Sequence, residues 1–278
     1  MGKGPAGWSC AMTARMRGLS AVVIAPRDDA SLLRSAKRID NYPGMPQVSG
    51  NELLERFCQQ GLSLGVEERF GLVRSIMPMN PGFMLLVENE VIEAKTVVLA
   101  MGAGKPALLP GEEELVGRGV SYCATCDGMF YRDKKVAMLS ATEQGAEETG
   151  FLCSVANSVD YFPLKKHRAE GLSSKANPIE EKPLSMKKTD EGILLTTDYG
   201  SHVYDGIFIY RSAVALDMLL PGLEIQGGAI VVDRKMQTNI PGVFAAGDCT
   251  GKPLQIGKAV GEGNVAALTC AEYLAKIG

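Results

Sequence analysis

Short apolar runs separated by turns, together with one stretch of small residues at helical spacing, dominate the pattern of this chain. Residues 6–17 are rich in small side chains and end before Gly18, which predicts a helix. The apolar runs have the length of buried strands. They cover residues 19–25, 97–102, 135–139, 229–233 and 242–248. A further helical pattern closes the chain, and this alternation of strands and helices predicts an α/β fold.

A glycine-rich turn opens the chain. Gly2, Gly4 and Gly7 form a G-x-G-x-x-G pattern at the start of the predicted helix. In a dinucleotide-binding unit the glycines let the backbone approach a pyrophosphate, whose charge is stabilised by the helix N-terminus. The strand that normally precedes such a turn is absent. We therefore expect that an upstream apolar stretch was lost or left out.

The Gly-Asp end of the 242–248 run pairs naturally with the first part of the chain, which predicts a domain built from two pieces. We place this domain at residues 1–110 and 224–278, with residues 111–223 inserted as a second domain. Residues 167–190 are polar and have no clear period, so we expect an exposed, irregular segment there.

Composition excludes several classes of protein. Apolar residues make up 46% and charged residues 22% of the 278 residues, as in a soluble globular protein. No apolar run approaches the roughly 18 residues that span a bilayer, and the start lacks the apolar core of a signal peptide. We expect a cytoplasmic protein with neither a membrane nor a nucleic acid as its partner.

Charge is distributed unevenly along the chain. The first 40 residues carry seven Lys and Arg side chains against three acidic ones, a net charge of +4, whereas the whole chain carries −3. A basic lobe on an otherwise acidic protein favours an acidic partner. A solvated surface, or charge that balances a bound phosphate, is an equal alternative.

Two of the seven cysteines, Cys123 and Cys126, form the strongest chemical signal in the sequence. An odd number of scattered cysteines does not indicate a secreted disulfide framework, and two histidines do not suffice for a zinc site, so no metal is predicted. The lone C-x-x-C pair is predicted to be redox-active, because one thiolate can attack a partner disulfide while the other resolves the mixed intermediate. Asp127 follows the pair and is predicted to exchange protons, with a turn or helix-capping role as the alternative.

Around this pair the sequence resembles the bacterial-type, low-molecular-weight thioredoxin reductases. Residues 117–128 (GRGVSYCATCDG) resemble the active-site signature of that family, and residues 238–248 (TNIPGVFAAGD) resemble its second flavin motif. Residues 41–44 (NYPG) are similar to a turn beside the flavin, and Gln255 is similar to the glutamine at the start of the last helix. The resemblance spans almost the whole chain.

The resemblance implies two Rossmann-like three-layer domains of the FAD/NAD(P)-binding type, the second inserted in the first, in a homodimer that binds FAD. It implies that Cys126 faces the flavin and that Cys123 attacks the thioredoxin disulfide. It also implies that Asp248 binds a ribityl hydroxyl and that the last helix directs its positive end at the flavin. The implied cofactor-binding residues are Gly2, Gly4, Pro5, Ala6, Gly7, Asn41, Gly102, Gly247, Asp248, Gln255 and Ile256.

Three stretches depart from the family where it binds NADPH. Residues 140–143 (SATE) replace glycines after the apolar run at 135–139, and their side chains would keep a pyrophosphate away. Glu143 adds a negative charge at the same turn, where it repels a phosphate. Residues 162–168 (FPLKKHR) do not reproduce the arginine cluster that holds the 2′-phosphate, and residues 210–214 (YRSAV) replace a glycine-containing motif.

These losses favour a changed electron donor. Residues 29–40 (DASLLRSAKRID) resemble the ferredoxin-dependent flavin thioredoxin reductases and their NADPH-independent relatives. The sequence therefore predicts an enzyme that passes electrons from ferredoxin through FAD and the Cys123–Cys126 pair to thioredoxin. Two alternatives stay open. One is a reductase that still uses NADPH, with residues 165–168 holding its phosphate, and the other is a non-enzymatic flavoprotein that senses redox state.

The remaining cysteines and the single tryptophan have simpler interpretations. Cys10 and Cys270 are predicted to be small buried side chains on the first and last helices. Cys249 follows Asp248, and for it packing is favoured over contact with a cofactor. Trp8 is expected to pack rather than to stack on a flavin.

Overall fold

The chain forms two compact units in a computed structural model. The model describes residues 1–27, 31–102, 108–141, 143–164, 171–211 and 216–277. The first unit combines Met1–Lys105 with Ala213–Gly278, and the second unit is Pro106–Ser212. The return to the first unit thus precedes the predicted boundary at 223/224, because Leu219, Leu220 and Leu223 are buried in the core of the first unit.

The helices and strands are named here in chain order. The helices are α1 (Pro5–Met16), α2 (Gly50–Ser63), α3 (Glu112–Leu115), α4 (Ala124–Asp127), α5 (Glu143–Val155), α6 (Leu216–Leu219) and α7 (Ile256–Ile277). The strands are β1 (Val22–Ala25), β2 (Glu67–Phe70), β3 (Val73–Pro78), β4 (Phe83–Val87), β5 (Glu90–Ala94), β6 (Val97–Leu99), β7 (Val120–Ser121), β8 (Lys135–Ser140), β9 (Ser158–Pro163), β10 (Ala176–Pro178), β11 (Pro183–Thr189), β12 (Gly192–Thr197), β13 (Ser201–Tyr204), β14 (Gly206–Tyr210), β15 (Ile225–Gln226), β16 (Ala229–Ile230) and β17 (Val243–Ala245). None of the described helices is long and apolar enough to cross a membrane.

Parallel strand pairs and one antiparallel sheet build the first unit. β1 pairs with β2 and β6 pairs with β17, both parallel, whereas β3, β4 and β5 form an antiparallel sheet. The backbone of Met1 and Gly2 joins the two parallel pairs. The N–H of Ala100 donates to Met1 O over 2.8 Å, and the N–H of Gly2 donates to Ile24 O over 2.8 Å. Residues 1 and 2 therefore occupy the place between β1 and β6 that the strand before a glycine-rich turn normally takes.

Small side chains allow α1 and α7 to pack closely beside these strands. Pro5 at the first position and Gly4 at the N-cap start α1, as is usual for helix N-termini. A side chain at Gly263 of α7 would collide with the carbonyl of Ala6, so the two helices approach each other at backbone distance. The buried residues at this contact are Ala6, Cys10, Ala14, Ala259, Ala266, Ala267 and Cys270.

The second unit has three layers. Its central parallel sheet has the strand order β10-β9-β8-β14-β7. Because strand side chains alternate between faces, Val136 and Met138 of β8 pack with residues of α5, whereas Ala137 and Leu139 pack on the other side. That other side is covered by the antiparallel sheet β11-β12-β13. The structure confirms the predicted fold class, a mixed α/β fold with parallel sheets.

Two predictions of local structure were wrong in part. Residues 183–189 lie in the segment predicted to be irregular, yet they form β11, which pairs antiparallel with β12. Only Pro183 and Met186 of this strand are buried, so its polar composition reflects one solvated face rather than a lack of structure. The strand predicted at 229–233 is shorter, and only Ala229 and Ile230 are paired, in β16.

Candidate functional site

The cysteine pair forms a disulfide at the start of a short helix in the second unit. The S–S distance of Cys123–Cys126 is 2.02 Å and the Cα atoms are 5.3 Å apart. Cys123 follows β7 and is the N-cap of α4, which contains Cys126. The strand thus fixes one sulfur and the helix fixes the other. The structure thus places the two predicted residues at bonding distance.

Hydrogen-bond donors converge on the sulfur of Cys123. The backbone N–H of Cys126 donates to Cys123 Sγ over 3.2 Å, and Thr125 Oγ1 lies 3.5 Å from the same sulfur. Such donors favour the charged form of a thiol when the disulfide is opened. Cys126 is the more exposed residue of the pair, and Cys123 is half-buried. The surroundings therefore stabilise a thiolate at Cys123 and leave Cys126 accessible in the disulfide form.

Asp127 is held beside the pair by Ser121. Ser121 Oγ donates to Asp127 Oδ2 over 2.7 Å, and the N–H of Cys123 donates to Ser121 Oγ over 3.1 Å. One hydroxyl thus connects the carboxylate to the backbone of the first cysteine. Ser121 was not among the predicted site residues, although its place two residues before Cys123 suits a side-chain-to-backbone hydrogen bond.

A buried ion pair supports the turn before Cys123. The Glu112 side chain is fully buried, and its carboxylate accepts two hydrogen bonds from the Arg211 guanidinium, one of them over 2.7 Å. Tyr122 donates to the same carboxylate over 2.7 Å, and the N–H of Leu109 donates over 2.8 Å. Tyr122, which precedes Cys123, is thereby connected through Glu112 to Arg211 at the end of β14. Arg211 was recognised in the sequence only as a departure from the family.

The glycine-rich turn of the first unit has the geometry of a pyrophosphate cradle. A side chain at Gly2 would collide with Ala100 O, and one at Gly7 would collide with Gly2 O, so both positions require glycine. Around Gly4, in contrast, a Cβ atom would meet nothing within 4 Å. The first turn of α1 carries no acidic residue and no side-chain cap, so its N–H groups point toward this open space. These features fit the phosphates of a dinucleotide such as FAD.

The Gly-Asp motif lies against the same turn. Gly247 has a φ of 88°, and a Cβ atom there would lie 2.8 Å from the Cβ of Ala6. Asp248 follows it directly and is half-buried. Burial raises the pKa of Asp248, Lys258 acts to lower it and Glu262 acts to raise it. The contact with Ala6 brings the two predicted flavin motifs together at the carboxyl ends of β6 and β17.

The start of α7 also reaches this region of the first unit. Asn41 Nδ2 donates to Gln255 Oε1 over 3.2 Å, although the two residues are 214 positions apart in the chain. Ile256 begins α7 directly after Gln255. Gly102, with a φ of 75°, lies just after β6, next to the strand end that pairs with Met1. The eleven predicted cofactor-binding residues thus all belong to the first unit, whereas the cysteines and Asp127 belong to the second.

The end of β8 in the second unit carries side chains where a nucleotide-binding turn has glycine. In an open α/β sheet, ligands bind where the strand order reverses, which here is between β8 and β14. The N–H of Ala141 donates to Tyr210 O over 2.8 Å, the last ladder bond between β8 and β14. Ser140 is fully buried, and a side chain at Gly145 would collide with its hydroxyl. Side chains at Ser140 and Ala141 therefore stand where glycines would let a pyrophosphate approach the backbone.

Several residues invoked for the loss of NADPH binding lie outside the described part of the chain. These are Thr142, the stretch 165–168 and residues 212–214. Within the described residues, side chains replace the family's glycines at Ser140 and Ala141.

The remaining cysteines and Trp8 pack as expected. Cys10 and Cys270 are buried, and Cys249 Sγ donates to Leu99 O over 3.2 Å. Burial raises the pKa of Cys249 to about 11 and that of Cys10 to about 12, so both stay protonated near neutral pH. Trp8 is 1% exposed and lies against Gly61 of α2.

The chain is similar to known proteins over its whole length. Residues 1–263 match the family model described as pyridine nucleotide-disulphide oxidoreductase. The thioredoxin reductase of Listeria innocua is 30% identical, with an alignment that covers 100% of this chain and 93% of that protein.

Two solved structures resemble the fold as well. A ferredoxin-flavin thioredoxin reductase from Clostridium acetobutylicum is 36% identical, with a TM-score of 0.91 and coverage of 99% of this chain and 96% of that chain. A thioredoxin reductase from Gloeobacter violaceus is 31% identical, with a TM-score of 0.80 and coverage of 99% and 92%. With its intact cysteine pair and glycine-rich turn, the chain belongs to the pyridine nucleotide-disulphide oxidoreductase family and is a homologue of the thioredoxin reductases.

Proposed function

We propose that this protein is an FAD-dependent disulfide reductase that passes electrons from ferredoxin, through the Cys123–Cys126 pair, to thioredoxin. One combination of observations carries the proposal. The disulfide keeps its supporting hydrogen bonds, while side chains at Ser140 and Ala141 stand at the turn after β8, where a pyrophosphate-binding turn has glycine. The dithiol site is thus built for reaction, and the turn that would bind a nicotinamide coenzyme lacks its glycines.

FAD is the cofactor that the first unit fits. The cradle at Gly2, Gly4 and Gly7 would hold the pyrophosphate, Asp248 the ribityl chain, and the start of α7 the flavin ring. When bound, FAD supplies a carrier that exchanges electrons one or two at a time. Asn41 and Gln255, already hydrogen-bonded to each other, would orient the helix start toward that ring.

Ferredoxin as the donor is supported by the relative from Clostridium acetobutylicum and by surface charge. Ferredoxin donors deliver electrons at low potential, and an acidic donor is attracted by basic residues near the cofactor. Arg34, Lys37 and Arg38 are exposed on the segment that leads to Asn41. This segment would place positive charge next to the flavin ring.

The protein half of the reaction needs the two cysteines and Asp127. The hydrogen bonds at Cys123 favour a thiolate that attacks the thioredoxin disulfide, and the thiol of Cys126 then resolves the mixed disulfide. Asp127, oriented by Ser121, would take up or give back the proton at this pair. We further propose that the enzyme acts as a homodimer in the cytoplasm.

The choice of donor is tested by the absorbance of the flavin. Under anaerobic conditions, reduced ferredoxin is expected to bleach the flavin band of the purified protein, whereas NADPH at millimolar concentration leaves the band unchanged. The reason is that side chains at Ser140 and Ala141 keep the pyrophosphate of the coenzyme away from the backbone. Prompt bleaching by NADPH would overturn the assignment of the donor. Bleaching by ferredoxin without any reduction of thioredoxin would instead favour a redox sensor.

Asp127→Asn tests the proton role. Asparagine keeps an oxygen that can accept the hydrogen bond from Ser121, but it can no longer exchange a proton. Thioredoxin reduction should fall by about a hundredfold, the lower part of the range for general acid–base catalysis. Steady-state rates at several pH values provide the measurement, and Asp133→Asn is the matched control. An unchanged rate would assign Asp127 to the structure of the turn alone.

A further inference from the structure

An ion pair on the last helix fixes both sides of the Gly247 peptide unit. Lys258 Nζ donates to Gly247 O over 2.9 Å, to Thr250 Oγ1 over 2.9 Å and to Glu262 Oε2 over 3.1 Å. Glu262 Oε2 in turn accepts the N–H of Gly247 over 2.8 Å. The lysine uses all three of its donors, and Gly247 has both its N–H and its C=O held by the same two side chains.

Thr250 completes the arrangement at the other end of the turn. Its Oγ1 lies 2.8 Å from Gly247 O and 2.9 Å from Glu262 Oε2. The network therefore encloses Asp248 and Cys249 between two fixed points. The backbone that carries the Asp248 carboxylate is held by hydrogen bonds to charged groups, which are stronger than those between neutral groups.

The position of Lys258 on α7 is electrostatically unusual. It is the third residue of α7, where the positive end of the helix dipole disfavours a cation. The side chains of Lys258 and Glu262 are only 17% and 19% exposed, whereas the Lys235–Glu272 pair elsewhere in the unit is 60% and 59% exposed. A lysine at a helix start is tolerated here because Glu262 and the turn oxygens surround it.

The same two residues act on the charge of Asp248. Burial raises the pKa of its carboxyl, the positive charge of Lys258 opposes that rise, and the negative charge of Glu262 adds to it. In the described residues these are the two charged groups that act on Asp248, and both belong to α7. Removing Lys258 therefore raises the pKa of Asp248 further, and removing the charge of Glu262 lowers it.

We propose that Lys258 and Glu262 are positioning residues of the cofactor site, which hold the Gly247–Asp248 turn so that the Asp248 carboxylate accepts a hydrogen bond from the ribityl chain of FAD. The inference rests on the proposed function, because it assumes that FAD binds at this turn. Neither residue is required to touch the cofactor. Their effect is exerted through the position and the charge of Asp248.

Binding of FAD to the apoprotein tests the inference without any turnover. FAD is removed, and the protein is titrated with FAD while the quenching of flavin fluorescence is recorded. Lys258→Met and Glu262→Gln should each weaken binding by about tenfold to a hundredfold, the range expected for loss of a charge-assisted hydrogen bond. Lys235→Met, in the exposed pair, should bind FAD like the wild type.

The pH dependence separates positioning from a general loss of structure. An ionised Asp248 accepts the ribityl hydrogen bond, so binding weakens as the pH falls through the pKa of Asp248. Without Lys258 that pKa rises further, and the weakening should begin at higher pH than in the wild type. Without the charge of Glu262 the pKa falls, and the weakening should begin at lower pH. If the substitutions merely loosened the turn, the pH at which FAD binding weakens would shift in the same direction in both variants.

The outcomes distinguish this inference from the proposed function. If the wild type does not bind FAD, the proposed function fails first. If the wild type binds FAD and both variants match it in affinity and pH profile, the positioning role is refuted while the proposed function stands. Opposite pH shifts in the two variants, with Lys235→Met unchanged, support the positioning role.

Discussion

Cys123→Ser should abolish the reduction of thioredoxin while the flavin is still reduced by its electron donor. The loss of activity is expected to be at least about a thousandfold, because the nucleophile of the disulfide exchange is removed. Reduction of the flavin does not depend on this sulfur, so the flavin band should still bleach with reduced ferredoxin. Stopped-flow absorbance of the flavin and a thioredoxin turnover assay measure the two steps separately.

The assignment of roles within the pair needs the second variant. The Cys126→Ser variant keeps Cys123 Sγ, which accepts the N–H of residue 126. This variant should form a stable mixed disulfide with thioredoxin through Cys123. Mass spectrometry of the trapped complex identifies the linked cysteine. Cys153→Ser, at a half-buried free cysteine of the same unit, serves as the control and should retain activity. Since Cys126 is the more exposed residue in the disulfide form, a complex trapped through Cys126 in Cys123→Ser, with none in Cys126→Ser, would reverse the two roles.

Arg211→Ala should destabilise the second unit more than any exposed substitution. The Glu112 carboxylate is fully buried, and loss of the guanidinium leaves it with an uncompensated charge. Breaking a buried ion pair on one side is expected to cost about 3–5 kcal/mol. The single tryptophan, Trp8, lies in the first unit, so its fluorescence does not report on this loss. Hydrogen exchange of β7 and β14 does report on it, and their amides should exchange faster.

Two further variants make the stability result specific. The double variant Glu112→Gln/Arg211→Met removes both charges and should regain much of the protection, because no buried charge is left without a partner. Arg38→Ala breaks an ion pair whose side chains are 60% and 57% exposed and should cost less than about 1 kcal/mol. If the amides of β14 exchange equally slowly in Arg211→Ala and in the wild type, the ion pair does not support the unit.

Much of the fold could be read from the sequence because its strands are buried and its turns carry glycine. The run at 135–139 became β8, and the small residues from 6 to 17 became α1 within one residue at each end. Polar strands were harder to recognise. β11 has two buried residues among seven, and its strand character depends on pairing with β12, which no local pattern reveals.

The sequence predicts those residues of the candidate site that lie together in short motifs. Cys123, Cys126 and Asp127 lie within five residues, and their disulfide and turn follow from that spacing. Residues that act through distant partners were missed. Glu112 and Arg211 are 99 positions apart, and only the folded sheet brings them together. Lys258 and Glu262 have a visible spacing of four on a helix, but their contact with Gly247 spans a turn that the pattern does not define.

The fully buried side chain of Ser140 has a bearing on protein engineering. A side chain at Gly145 would collide with the Ser140 hydroxyl, so this serine and the first turn of α5 are fitted to each other. Reinstating glycine at 140 would leave a void against the helix instead of a crevice for a nicotinamide coenzyme. Grafting a whole strand–turn–helix segment from a coenzyme-binding homologue is therefore the more promising route.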